Sequence, residues 1–189
     1  MNILRDQGSI SYQKYLQGDD QGMVELIRDY KDGLILYLNS FVGNIQVAEE
    51  LAMDTFVKLG VNRPKNRGGA SFKTWLYTIG RNIAVDHLRK LSRRKEVSLE
   101  DCQPLQDDEA SLERIYIRQE NKITLHRVMR DLPGNYRQVL WLVYFEGFSI
   151  KETAKVLKKS VHNIEVQASR ARKALRLLLE KEGFFYENL

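Results

Sequence analysis

The sequence predicts an all-α protein of two helical domains joined by an acidic linker, and three observations carry that prediction. Along most of the 189 residues apolar side chains recur at spacings of three and four, and no stretch alternates polar with apolar as a half-buried strand would. Capping residues and glycines interrupt the pattern at intervals of helix length. Charge is laid out in blocks: residues 1–95 hold 15 basic and 10 acidic side chains, residues 96–113 hold none and 7, and residues 114–189 hold 15 and 8. Two basic domains, 1–95 and 114–189, on either side of an acidic strip are what two modules facing a polyanion would need, with a tether that the polyanion repels.

Asp19 and Asp20 are placed to cap a long first helix. Met23, Leu26, Ile27, Tyr30, Leu34 and Tyr37 form its apolar side, and Gly43 marks its end. A second helix follows at once, with Val47, Leu51, Phe56, Val57 and Leu59 on the apolar side and Glu49, Glu50 and Asp54 on the other. By periodicity alone these three carboxylates are a solvated acidic face. Gly60, Pro64, Gly68 and Gly69 then break the helix, and Arg63, Lys65 and Arg67 make the loop basic. Such a loop suits a backbone phosphate or a plain connector, and composition does not separate the two. Ser71 caps the next helix, whose predicted buried stripe is Phe72, Trp75, Leu76, Ile79 and Ile83. Its other side carries Lys73, Arg81, Asn82, Asp86, Arg89 and Lys90 and runs on into Arg93, Arg94 and Lys95. Seven cations against one anion between Phe72 and Lys95 favour a polyanionic partner, because crowded cations gain when phosphates release their counterions.

The strip 96–113 contains Pro104 and little periodicity, which predicts a linker with a helix beginning only around Asp108. That helix continues through Leu112, Ile115, Ile123, Val128 and Leu132. Pro133 suits the first turn of the following helix, Gly134 to Phe145, and Gly147 turns the chain. Ser149 followed by Glu152 is a capping box that starts a short helix. Ala154, Leu157 and Ile164 then have the spacing of a helix-turn-helix, a small residue at the crossing with aliphatic ones closing the angle. Ser160 caps the second helix of the pair, and Ile164, Ala168, Ala171, Leu175 and Leu178 form its inward stripe. Val161, His162, Glu165, Val166, Ser169, Arg172 and Lys173 face outward. A helix of this kind fits the major groove, with its first turns on base edges and its later cations on phosphates. The competing reading is a basic surface helix in an ordinary helical domain.

Several classes are disfavoured. The single cysteine, Cys102, supports neither a disulfide framework nor a thiolate metal site. No apolar run reaches the roughly 20 residues of a membrane span, and the N-terminus lacks the apolar core of a signal peptide, so a cytoplasmic protein is expected. His87, His126 and His162 lie on separate helices without metal-ligand spacing, and no nucleophile elbow or glycine-rich phosphate loop occurs. Neither a catalytic site nor a metal or cofactor is expected.

FKTWLYTIGRNIAVDHLRK at Phe72–Lys90, LPGNYRQVLWLVYFEGFSIKETAKVLKKS at Leu132–Ser160, and VAEELAMDTFVKLG between them and the first helix's end resemble the extracytoplasmic-function group of bacterial RNA polymerase sigma factors. The resemblance spans about Asp19 to Glu182, in the family's order. It implies a two-domain initiation factor whose partners are core RNA polymerase, promoter DNA and an anti-sigma factor. On matching positions, Glu49, Glu50, Asp54 and Phe56 would dock on the polymerase clamp helices. The resemblance also implies that the loop with Arg63, Lys65 and Arg67, and the helix with Lys73, Arg81, Asn82, Asp86, Arg89 and Lys90, engage the minus-10 element, with one base drawn out of the stack. Ser160, Val161, His162, Glu165, Val166, Ser169, Arg170, Arg172 and Lys173 would read the minus-35 element, and the acidic linker would run through the channel that later carries RNA. An autonomous helix-turn-helix repressor or activator is the alternative. It would have no use for the N-terminal block.

Overall fold

The structure, a computed structural model, describes residues 6–66, 69–95 and 128–181. Arg67, the linker 96–113 and the helix expected from Asp108 to its last turns lie outside the described residues. The chain divides near Asp107 into two compact units, all-helical where described.

The first unit opens with a helix that periodicity does not announce, α1 (Gln7–Leu16). Asp6 caps it, with Oδ1 accepting from the Ser9 amide at 2.9 Å. α2 (Gln21–Val42) follows. The Asp19 carboxylate accepts from the Gln21 amide at 3.0 Å, whereas Asp20 makes no side-chain cap, because its backbone is already helical. Residues 34–40 of α2 are buried all round, and the helix ends on Gly43 at φ 66°. Asn44 caps α3 (Ile45–Asn62) through the Val47 amide at 2.9 Å.

Two expectations for α3 are corrected. Ile45, Ala48, Leu51, Ala52, Thr55, Phe56 and Leu59 are buried, while Val57, expected inside, points out. Gly60 does not break the helix, which runs on to Asn62 and closes on Arg63 at φ 42°. One glycine in a helix costs only about 1 kcal/mol, less than the packing of the surrounding turn supplies.

α4 (Phe72–Lys95) is capped twice: Thr74 donates to Ser71 Oγ at 3.2 Å, and the Phe72 amide donates to Asp6 Oδ2 at 2.8 Å. Its buried side is Phe72, Thr74, Leu76, Tyr77, Gly80 and Ala84; Trp75, Ile79 and Ile83, expected there, are only half-buried. The reason is the close crossing with α2. A Cβ on Gly80 would lie 3.0 Å from Leu34 Cδ1, so small residues rather than aliphatic ones mark the inward face.

In the second unit Arg137 Nη1 donates to the carbonyl of Arg130, at the end of a helical turn over 128–130, with a length of 2.9 Å. Pro133 is the residue before α5 (Gly134–Leu140) rather than part of its first turn, since its ψ of 139° is extended. The helix expected to reach Phe145 gives way to a π-helical turn, Trp141–Phe145, in which the Trp141 and Phe145 rings stack at 4.4 Å and 3°. After the left-handed Gly147 come α6 (Ile150–Leu157) and α7 (Val161–Lys181).

Candidate nucleic-acid interfaces

The capping box that starts α6 is formed in both directions. The Glu152 amide donates to Ser149 Oγ at 3.2 Å, and the Ser149 amide donates to Glu152 Oε2 at 3.0 Å. Ala154, Leu157 and Ile164 are all buried, as the spacing of a helix-turn-helix predicts. Lys158 takes φ 55° in the turn, a conformation that costs an L-residue about 1 kcal/mol and that glycine would relieve.

Ser160 then caps α7, its Oγ accepting from the Asn163 amide at 3.2 Å, which leaves the exposed O–H able to donate. Ile164, Ala168 and Ala171 are buried, but farther along Leu175 and Leu178 are half-buried and Leu179 takes the buried place. The outward face holds Val161, His162, Glu165, Ser169, Arg170, Arg172 and Lys173 in the open and Val166 half-buried. Glu165 Oε2 lies 3.9 Å from His162 Nδ1, with both side chains exposed. The first turns therefore offer short polar and carboxylate groups, and the later turns offer cations. That gradient suits base edges followed by phosphates.

On α4 the cationic side lengthens toward the C-terminal end. Lys73 lies over the Tyr77 ring at 5.6 Å. Arg81 and Asn82 are half-buried, with Arg81 Nε shut off from solvent. Asp86, Arg89 and Lys90 are exposed, as is Arg93, and the Asp86–Arg89 pair at 3.5 Å is too solvated to neutralise the face. Ahead of α4, Arg63 and Lys65 are exposed, and the Arg63 guanidinium lies 5.3 Å from the centre of the Tyr15 ring.

α3 presents a different surface. Glu49, Glu50 and Asp54 are exposed, but Phe56 is 4% exposed and is core, so it cannot be a docking contact. In its place Met53, Val57 and Val61, at 53%, 59% and 75% exposure, make an apolar ridge along one side of the helix. Their spacing of i, i+4, i+8 is visible in the sequence, offset from the buried stripe at Ala48, Ala52, Thr55 and Leu59. Aliphatic side chains gain nothing from phosphates, and the carboxylates beside them repel phosphates.

Among the described residues no three of His, Cys, Asp or Glu gather as a metal site, and no helix is long and apolar enough to cross a membrane.

Residues 26–94 match the Sigma-70 region 2 family, and residues 122–175 match Sigma-70, region 4. The RNA polymerase sigma-H factor of Pseudomonas aeruginosa is 30% identical over 186 residues, covering 94% of this chain and 96% of that protein. The ECF RNA polymerase sigma factor SigW of Bacillus subtilis is 26% identical, covering 85% and 90%. Among solved structures, sigma factor RpoE in complex with the anti-sigma factor NepR from Bartonella quintana has a TM-score of 0.67 at 22% identity, over 88% of this chain and 98% of that one. CnrH in complex with the cytosolic domain of CnrY has a TM-score of 0.64 at 22% identity, over 91% and 96%. At those identities the two structures show a shared fold.

Proposed function

The chain belongs to the extracytoplasmic-function group of RNA polymerase sigma factors, and from that membership we propose how its surfaces divide the work. As a sigma factor it binds core polymerase and directs initiation at particular promoters. The exposed face of α3 docks on the polymerase clamp helices, with Met53, Val57 and Val61 as the apolar ridge and Glu49, Glu50 and Asp54 beside it. Arg63 and Lys65, with Lys73, Arg81, Asn82, Asp86, Arg89 and Lys90 of α4, engage the minus-10 element; Arg67 shares the loop's charge. The outward residues of α7, from Ser160 and Val161 through Lys173, read the minus-35 element. The factor works in the cytoplasm, without catalysis of its own, and an anti-sigma factor that covers the polymerase-facing surface is its expected restraint.

The observation that carries this division is the contrast between faces. α3 exposes aliphatic side chains and carboxylates, while α4 and α7 expose cations. An autonomous helix-turn-helix regulator has no role for the α3 ridge or for a second cationic helix. Gel shifts on duplex promoter DNA separate the two readings: retention only with core polymerase is expected, and strong retention by the chain alone favours the regulator.

Arg89 and Lys90 replaced together by alanine are expected to weaken promoter binding by the holoenzyme and to flatten its log–log salt dependence by about 2, one unit per lost phosphate contact. An unchanged slope removes both residues from the DNA. Glu165 is exposed on the same face and a carboxylate there can accept from a cytosine amino group, so Glu165→Lys is expected to change which minus-35 sequences are used by about tenfold, the size of one base contact. Unchanged promoter choice would leave it a surface residue paired with His162.

A further inference from the structure

α1 and its cap Asp6 lie ahead of residues 26–94, which match the region 2 family, yet their side chains bond the last turn of α3, the residue that follows Arg63 and the start of α4. Tyr15 Oη donates to the Gly60 carbonyl at 3.0 Å, and Tyr12 Oη donates to the Pro64 carbonyl at 2.8 Å. Between those points Arg63, the left-handed residue at φ 42° that ends α3, places its guanidinium 5.3 Å from the centre of the Tyr15 ring. At the far end one Asp6 carboxylate accepts from both the Ser9 amide of α1 and the Phe72 amide that begins α4. The Tyr12 ring also packs on Phe72 and Trp75, at centroid distances of 5.6 and 5.4 Å. Burial pushes the Tyr12 phenol up to about 12, so it remains a donor at any pH at which transcription proceeds.

We propose that α1 is a positioning element for minus-10 recognition, with Asp6, Tyr12 and Tyr15 as positioning residues that fix where Arg63 and Lys65 meet the promoter. This rests on the reading of Arg63 and Lys65 as minus-10 contacts. Two backbone carbonyls, the start of α4 and one guanidinium are tied to one short helix, so the base preference of the segment depends on α1 although α1 itself touches no base. Preorganisation of this kind sharpens selectivity, because a loop free to shift accommodates the wrong base with little cost.

The test uses holoenzyme reconstituted with the full chain and a promoter library randomised across the minus-10 element. Tyr12→Phe/Tyr15→Phe removes two hydroxyls and keeps both rings. Core affinity and minus-35 preference are expected to stay as in the parent and the thermal midpoint to fall by only about 5–10 °C, while enrichment of the preferred minus-10 bases falls about tenfold, the scale of two neutral hydrogen bonds. Asp6→Asn, which leaves one acceptor oxygen of two, is expected to affect the same minus-10 positions, and it decides the matter should the double variant unfold. Arg63→Ala/Lys65→Ala is the reference that removes the contacts themselves. Loss of minus-10 selection in the reference with full selection in the tyrosine and Asp6 variants overturns the role of α1. Full selection in every variant, the reference included, overturns the promoter reading of the segment, and the proposal with it.

Discussion

Val57→Glu is expected to reduce association with core polymerase by about 100-fold, the scale of a buried interface anchor, and to leave the thermal midpoint of the chain unchanged. The side chain is 59% exposed on α3, so a charge there costs little in the folded monomer. Pressed into an apolar contact it is a carboxylate deprived of water with no partner, and the complex bears the cost. The neighbouring Phe56→Ala has the opposite signature. Phe56 is 4% exposed, and truncating a core phenylalanine costs about 3–5 kcal/mol, which falls on stability before any binding is measured. Surface plasmon resonance on immobilised core polymerase together with thermal unfolding distinguishes them. Undiminished binding by Val57→Glu would remove the α3 ridge from the interface.

Gly22→Ala carries the second large effect, expected at about 3 kcal/mol of lost stability and a midpoint lower by roughly 10–20 °C. A Cβ at that position would lie 2.2 Å from the Ser11 carbonyl oxygen and 2.6 Å from the Tyr15 amide nitrogen. Both are backbone atoms of α1, so no rotamer change relieves the overlap, and α1 must lift from α2. The helix propensity gained, at most about 1 kcal/mol, does not offset this. Gly80→Ala is the milder comparison, because its Cβ would meet side-chain rather than backbone atoms, Leu34 Cδ1 at 3.0 Å first, and is expected to cost less than Gly22→Ala. Thermal unfolding measures both, and tryptic cleavage at Lys14 reports whether α1 has detached. A Gly22→Ala protein as stable as its parent would mean that the two helices are not in close contact.

The elements most legible in the sequence are those whose ends are written locally. Ser149 with Glu152, Ser160 and Gly43 each act within three or four residues of themselves, and each is found in the expected bond or conformation. α1 escaped because its packing depends on absences: Ser11 and Gly22 are buried where α1 and α2 approach each other, Gly8 is buried against Phe72 and Tyr30, and small residues carry no apolar period. The α4 stripe was misplaced for the same reason at Gly80 and Ala84. On α3 two adjacent apolar residues, Phe56 and Val57, both fit a broad apolar face, and only the packing against α2 and α4 decides which one turns inward. The π-turn at Trp141–Phe145 depends on a ring stack and on bonds past Gly147, which no helical period encodes. On the site side, the outward residues of α7 could be read from spacing alone. The spacing of the α3 ridge is also in the sequence, but that Met53, Val57 and Val61 face out while Phe56 faces in needed the folded chain.

The most direct measurement adds the purified chain to sigma-free core polymerase on genomic DNA of its native host and maps the 5′ ends of the transcripts. A discrete set of new start sites, sharing one sequence element near minus-10 and another near minus-35, is the predicted result. Start sites no different from those of core polymerase alone, or new ones with no shared upstream elements, would contradict the account.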